Sequence, residues 1–230
     1  MFSLTPLEIE ALRLSLLVSG VAVAGSLPPG ILCAWILARR DFPGKSLFDA
    51  IIHLPLVLPP VVVGYFLLVM LGRRGPVGSL LLDWFGITLG FTWKGAAIAS
   101  AVIAFPLMVR AIRLSIESVD RGLEQAARTL GSGPVRTFFT ITLPLVSPGL
   151  LTGTILGFAR SLSEFGATIT FVSNIPGETR TLPIALYALT QAPGGDAAAM
   201  RLCMISVAVA FSALLAAEIL ARRVQARLRG

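Results

Sequence analysis

Five long apolar runs, separated by short charged or glycine-rich segments, limit what this chain can fold into. They cover residues 11–37, 47–71, 95–116, 148–172 and 199–221. The hydrocarbon core of a bilayer takes about 20 mostly apolar residues per helix, and each run reaches that length. Only 13% of the 230 residues are charged, roughly half the share found in soluble domains. The sequence therefore predicts an all-α, polytopic membrane protein with about five transmembrane helices in a single domain, residues 1–230.

Prolines interrupt the first two runs. Pro28 and Pro29 lie inside the first run, and Pro59 and Pro60 lie inside the second. Proline removes a helical hydrogen bond and bends or breaks the helix. In a membrane such backbone is tolerated where protein or a water-filled cavity surrounds it. Pro59 and Pro60 thus indicate either a kink packed against neighbouring helices or backbone that lines a translocation pathway.

Basic residues are unevenly divided between the segments that connect the runs. Because Lys and Arg are retained in cytoplasmic loops, the richer set predicts the cytoplasmic side. The richer set has twelve: Arg39, Arg40, Lys45, Arg110, Arg113, Arg121, Arg128, Arg136, Arg222, Arg223, Arg227 and Arg229. The opposite set has five: Arg73, Arg74, Lys94, Arg180 and Arg201. We therefore expect the N-terminus outside, the C-terminus inside and the central loop in the cytoplasm.

The central loop, residues 120–144, combines charge with helical apolar spacing. Its apolar positions fall on one side of a helix, at Leu123, Ala126, Ala127 and Leu130. Gly131 is a natural helix stop, and a second short helix can follow before Pro144. The pattern predicts two short helices joined by a glycine turn. Such a loop is either a docking surface for a soluble partner or an amphipathic linker on the lipid surface.

The same loop resembles a family signature, the E-A-A-x3-G-x9-I-x-L-P pattern of bacterial ABC-importer permeases. The matching positions are Gln125, Ala126, Ala127, Gly131, Ile141, Leu143 and Pro144. In that family the loop forms the coupling helix, which inserts into a cleft on a cytoplasmic ATPase, so the resemblance implies the same role here. Gln125 stands where the pattern has a glutamate, and Glu124 directly precedes it. One residue turns a side chain by about 100° round a helix, so the two positions are not equivalent, and whether Glu124 takes the role of the family's glutamate stays open.

Segments outside the loop are similar to the permeases of molybdate importers. They are F-P-G-K at 42–45, H-L-P-L-V-L-P-P-V-V-V-G-Y at 53–65, F-A-R-S-L-S-E-F-G-A at 158–167 and S-N-I-P-G-E-T-R-T at 173–181. The resemblance covers nearly the whole chain. It implies the type I ABC-importer permease fold in a bacterial inner (plasma) membrane. It also implies a homodimer of permeases, two cytoplasmic ATP-binding subunits and an external molybdate-binding protein.

Two charged residues lie near the middle of the fourth run. Arg160 and Glu164 are four residues apart, so on a helix both can lie on one face and form an ion pair. A charge there costs at least a few kcal/mol, which makes intramembrane charges candidates for function. The pair, with Ser163 between its members, either stabilises helix packing or lines the pathway of a passing oxyanion.

Motifs for chemistry are missing from the sequence. There is no G-x-x-x-x-G-K-[ST] phosphate loop, so ATP would be bound by a partner subunit and this chain is expected to bind no cofactor of its own. No catalytic constellation is present, and the single histidine, His53, has no Cys or His at metal-ligand spacing. Nucleic acid is not an expected partner, because the basic residues follow the pattern of membrane orientation.

The residues and the resemblance together predict the permease of an ATP-driven molybdate importer. A sulfate or tungstate importer of the same family is the nearest alternative. An ion-coupled secondary transporter is a more distant one, since such proteins often carry several intramembrane carboxylates and internal repeats.

Overall fold

A computed structural model describes residues 4–229, without the side chains of residues 217, 220, 221 and 224–229. Helices make up nearly all of this part of the chain, and it contains no strand. The helices are α1 (Pro6–Arg39), α2 (Lys45–Val57), α3 (Pro60–Leu71), α4 (Pro76–Phe85), α5 (Trp93–Glu117), α6 (Arg121–Thr129), α7 (Pro134–Thr137), a π-helical turn (Phe138–Thr142), α8 (Leu143–Leu162), α9 (Gly166–Val172), α10 (Leu182–Thr190) and α11 (Asp196–Arg229). The predicted all-α fold is confirmed.

Four helical stretches are long and apolar enough to cross a membrane, and a fifth crossing is present if the bent pair α2 and α3 counts as one span. α1, α5 and α11 contain the expected spans at 11–37, 95–116 and 199–221. The expected second span, 47–71, is bent by 112° between α2 and α3. The bend lies at Leu58 and Pro59. Each of these residues precedes a proline, which disfavours helical backbone there, and the two prolines also lack the N–H groups that a continuous helix would use.

The fourth span differs from the prediction of one helix at 148–172. The helix starts earlier, since residues 134–162 form one candidate span, and it ends at Leu162. Residues 163–165 are not helical, and α9 starts afresh at Gly166. The prediction failed because apolar composition continues across the break, whereas a side-chain contact of Glu164 starts the new helix.

α5 is the central helix and packs against both α1 and α8. Small residues on α8 allow the close approach. A β-carbon at Gly149, Gly153 or Gly157 would lie within 3.0 Å of Ser115, Ile112 or Met108 of α5 respectively. Small residues at every fourth position are typical of close helix packing in membranes, where the hydrophobic effect does not drive helices together. This packing fixes α8, and with it the loop that precedes α8.

Candidate functional site

The central loop forms an elbow, defined here as α6, the turn at 130–133 and α7. Asp120 caps the start of α6, and its side-chain oxygen accepts a hydrogen bond from the N–H of Gly122 at 2.8 Å. It ends in a Schellman turn, in which the N–H of Ser132 donates to the carbonyl of Ala127 and that of Gly131 donates to Arg128, each at 3.0 Å. Gly131 has φ of 86°, in the left-handed region that strains any residue with a β-carbon. The predicted glycine stop is confirmed, and this conformation is its physical reason.

The outer face of the elbow is apolar and exposed. Leu130 is 89% exposed at the turn, while Val135 of α7 and Phe139 of the adjoining π-helical turn are exposed along a groove shared with α1. Gln125 and Ala126 face solvent beside them, and Ala127 is half-buried. Apolar side chains grouped on an exposed loop mark an interaction surface.

Glu124 faces inward, away from that surface. Its Oε1 accepts a hydrogen bond from Nη2 of Arg39 at 3.0 Å and another from the hydroxyl of Thr142 at 2.8 Å. The side chains of Arg39 and Glu124 are only 8% and 15% exposed. Arg39 also donates to the carbonyl of Val119. Glu124 therefore fastens α6 to the end of α1 and to the π-helical turn, while Gln125 remains on the surface.

The later signature residues join the elbow to the membrane helices. The π-helical turn contains Ile141, which is half-buried, and is followed by Leu143, which packs against the buried cluster formed by α1, α2 and α5. Pro144 is exposed at the start of α8, directly after the π-helical turn. An angular change of the elbow would thus act directly on α8.

A second site lies where the two broken spans meet. α3 packs on α9 so closely that a β-carbon at Gly64 would lie 2.5 Å from the carbonyl oxygen of Ala167. Similarly, a β-carbon at Gly166 would be 2.9 Å from Cβ of Pro60. The break at Pro59 and Pro60 is therefore held against the break at 163–165. Discontinuous helices of this kind often form transport sites, because their free helix ends can face a passing ion.

Glu164 forms the predicted ion pair with Arg160, but across the end of a helix and not along one face. Oε2 of Glu164 lies 2.8 Å from Nη1 of Arg160. Oε1 of the same carboxylate accepts a hydrogen bond from the N–H of Ala167, also at 2.8 Å. The Glu164 side chain is 1% exposed and that of Arg160 is 30% exposed. A guanidinium and a helix N-terminus together compensate the buried carboxylate. Ser163 is exposed beside the pair, and its hydroxyl donates to the carbonyl of Arg160.

The structure thus groups Arg160, Ser163 and Glu164 at one break and places Pro60 against Gly166, two residues beyond Glu164. Pro59 is exposed at the other break. Their role in a pathway stays a prediction. Sequence reasoning missed Arg39, Thr142 and Ala167 as the partners of the two glutamates. Arg39 and Glu124 are 85 residues apart, and helical spacing carries no information on such a contact. Between residues 4 and 229 no group of three His, Cys, Asp or Glu could hold a metal ion.

Comparison with known proteins gives one consistent result. Residues 28–229 match the family described as binding-protein-dependent transport system inner membrane component. The chain is 65% identical over 219 residues to the molybdenum transport system permease protein ModB of Escherichia coli K12, covering 95% of this chain and 96% of that one. It is 57% identical over 222 residues to ModB of Haemophilus influenzae, covering 96% and 97%. A sulfate transport system permease protein, CysT of Salmonella typhimurium, is 35% identical over 210 residues, covering 90% and 76%.

The fold has a counterpart among solved structures. A bacterial alginate ABC transporter, solved in complex with its pentasaccharide-bound periplasmic protein, matches with a TM-score of 0.77 at 20% identity. The match covers 96% of this chain and 80% of that one. At this identity the likeness concerns the fold alone.

Proposed function

The chain belongs to the family of binding-protein-dependent transport system inner membrane components, and we propose that it is the permease of an ATP-driven molybdate importer. The observation that carries the proposal is its identity with the molybdenum transport permease of Escherichia coli, at nearly twice the level shared with the sulfate permease. We further propose an inner-membrane location, two copies of the chain, two cytoplasmic ATP-binding subunits and an external molybdate-binding protein. This chain would bind no cofactor, and ATP would be hydrolysed by the partner subunits.

The elbow is the proposed docking surface for the ATP-binding subunit. Its exposed apolar residues supply contact area, and Gly131 sets the angle between its two helices. Glu124 has a positioning role, because it fixes the elbow to Arg39 and Thr142. Movement of the docked subunit would pass through the π-helical turn into α8, which ends at Arg160 and the paired breaks.

The paired breaks are the proposed position of the anion pathway. Arg160 is the only one of the two charges with appreciable exposure, so it can attract an oxyanion, whereas Glu164 is already compensated. A single partly paired guanidinium holds an anion weakly, and weak binding is what conduction requires.

Uptake by reconstituted vesicles tests the function. Vesicles with the chain, a candidate ATP-binding subunit and the molybdate-binding protein should accumulate molybdate only when ATP is supplied. Sulfate and tungstate are the competitors to compare, and preferential sulfate uptake would favour the sulfate-importer alternative. Molybdate uptake without ATP or the partner subunits would refute an ATP-driven importer.

Substitution at Gly131 tests coupling. Gly131→Val should reduce ATP-driven uptake strongly, because a β-branched residue at φ of 86° distorts the docking turn. Gly131→Asn should retain more activity, since asparagine tolerates this conformation. Gly133→Ala is the matched control, as Gly133 has φ of −67° and no atom near its missing β-carbon. Normal uptake by Gly131→Val, and by the bulkier Gly131→Trp, would show that the elbow does not couple the subunits.

A further inference from the structure

A basic pocket lies between the end of α1 and the inner side of the elbow. It has a volume of about 260 Å³, smaller than the usual site for a drug-sized molecule. Four arginines line it, Arg39, Arg40, Arg121 and Arg128, against one carboxylate, that of Glu124. Because Glu124 is already held by Arg39 and Thr142, the pocket keeps a positive excess.

Several of these guanidinium groups have donors to spare. The Arg39 side chain is more than nine-tenths buried, yet its Nε has no hydrogen-bond acceptor. Among the described residues, Arg128 has no hydrogen-bond or ion-pair partner, and Arg121 has only a long contact of 3.5 Å to the carbonyl of Ala38. Arg40 lies over the ring of Trp35, 5.4 Å from its centroid. Buried N–H groups without acceptors are costly, and a tetrahedral oxyanion supplies several acceptors at once.

The carboxylate of Asp41 does not neutralise the pocket. Asp41 follows Arg40 in the loop, where the ammonium of Lys45 donates to it at 2.8 Å. That hydrogen bond and charge, with a smaller contribution from Arg121, hold the pKa of Asp41 below its ordinary value. Asp41 is therefore ionised and paired with Lys45, and it does not line the pocket.

An apolar groove continues from the basic pocket. It has a volume of about 330 Å³ and shares Trp35, Pro134 and Phe138 with the pocket. On α1 it follows Pro28, Ile31, Leu32 and Trp35, a stripe at helical spacing that leads away from the arginines. Seven residues of helix correspond to about 10 Å. The groove thus extends from the charged end of α1 into the apolar part of the same helix.

We infer that the basic pocket and the groove form a binding site for one anionic phospholipid. The phosphate-bearing headgroup binds the arginines, and an acyl chain lies along the α1 stripe. Basic pockets beside transmembrane helices bind anionic headgroups in this way. A free oxyanion would satisfy the arginines but leaves the groove unexplained, and an apolar partner helix would fill the groove but leaves the arginines unpaired. A lipid bound here contacts α1 and both helices of the elbow, so it would stabilise the docking geometry.

Retention of lipid by the purified complex with its ATP-binding subunit tests the site. Native mass spectrometry during titration with phosphatidylglycerol should detect one tightly bound lipid per copy of the chain. Arg40→Gln combined with Arg128→Gln should weaken binding by about 25-fold, because each basic residue near an anionic surface contributes a factor of roughly five. Arg136→Gln is the matched control, since Arg136 is an exposed arginine of the same loop outside the pocket. Equal binding by the double variant and the control would overturn the inference.

A second variant keeps the test valid if the double variant does not assemble. Leu32→Trp should block the groove and displace the acyl chain while leaving every arginine of the pocket in place, because Leu32 lies exposed on the groove side of α1. Leu16→Trp, at an exposed position of the same helix outside the groove, should leave lipid binding unchanged. Lipid binding that survives Leu32→Trp would contradict the proposed acyl-chain position.

Other occupants give distinct results. Displacement of the lipid by millimolar molybdate or inorganic phosphate would identify a free-oxyanion site instead. Equal binding of phosphatidylcholine would identify an apolar groove without headgroup recognition. Lipid bound to the chain alone but absent from the complex would show that the ATP-binding subunit covers the pocket. Each of these would overturn the inference, and none depends on which anion is transported.

Fluorescence offers an independent measurement, because Trp35 lines both the pocket and the groove. With Trp84 and Trp93 replaced by Phe, Trp35 is the only tryptophan in the sequence. Brominated phosphatidylglycerol should quench it at a lower mole fraction than brominated phosphatidylcholine does. That preference should disappear in the Arg40→Gln and Arg128→Gln double variant, and a preference that persists would contradict headgroup recognition by these arginines.

Discussion

At the residue scale, the two glutamates next to the candidate sites work in the same way. Glu124 joins α6 to Arg39 and Thr142, and Glu164 joins Arg160 to the first turn of α9. Each carboxylate is largely buried and bonded to two other segments of the chain, so each holds separate helices in a fixed arrangement. Removing one partner of such a pair leaves a buried charge uncompensated, which costs more than the pair itself contributes.

Glu124→Ala should loosen the elbow. The guanidinium of Arg39 would lose its carboxylate partner, and we expect the local stability of α6 to fall by about 2–3 kcal/mol. Hydrogen–deuterium exchange of residues 121–129 measures this opening. Gln125→Ala, at the neighbouring exposed position, should leave exchange unchanged. Equal exchange in both variants would mean that Glu124 does not anchor α6.

Variants of the ion pair at the helix break can distinguish a structural role from a role in the anion pathway. Glu164→Ala should lower the unfolding temperature more than Arg160→Ala, since Glu164 also caps α9 through the N–H of Ala167. Arg160→Ala should mainly reduce oxyanion uptake, because Arg160 is the more exposed charge. Thermal unfolding in detergent and uptake in vesicles give the two readouts. Full recovery of uptake in the double variant would assign the pair to structure alone.

At the element scale, the contact between α3 and α9 determines how the two broken spans lie. Helix propensity does not explain it, because both helices are short and begin at the breaks. The contact depends on two glycines, Gly64 and Gly166, which let the backbones approach. The π-helical turn plays the corresponding part at the other end of α8, where it connects the elbow to the membrane helix.

Gly64→Ala should disrupt the contact between the broken spans. A β-carbon there would lie 2.5 Å from the backbone oxygen of Ala167, so α3 and α9 must separate. We expect a loss of about 1–3 kcal/mol, as for other overpacked positions. Gly25→Ala on α1 is the control, because nothing lies within 4 Å of its missing β-carbon. In detergent, Gly64→Ala should have a lower unfolding temperature than Gly25→Ala. Identical values would contradict a close contact at Gly64.

At the scale of the whole molecule, the exposed surface of the isolated chain is apolar over much of α3 and α11. Exposed residues there include Tyr65, Phe66, Val207 and Phe211. In a membrane these faces contact lipid or a second copy of the chain, and in water they would associate. The orientation of the chain across the membrane remains a prediction from the arginine distribution.

Thiol labelling tests that orientation. In a background with Cys33 and Cys203 replaced by Ala, Val135→Cys should react with a membrane-impermeant maleimide only after cells are permeabilised. Ile175→Cys should react in intact cells, because it belongs to the segment predicted outside. The cells should lack the ATP-binding subunit, which is proposed to cover the elbow. Both positions are then exposed, so access to the side chain is not limiting. If Val135→Cys reacts in intact cells and Ile175→Cys only after permeabilisation, the chain has the opposite orientation.

The fold class, the number of long apolar segments and the position of the elbow could all be predicted from the residue pattern. These follow from composition, helical spacing and Gly131, which are local properties. Three features required the folded structure: the inward orientation of Glu124, the end of the fourth span at Leu162 and the contact between the two breaks. Those features depend on contacts between residues far apart in the chain. Residues at equivalent helical positions look alike in the sequence, and the packing of neighbouring helices selects which of them is buried.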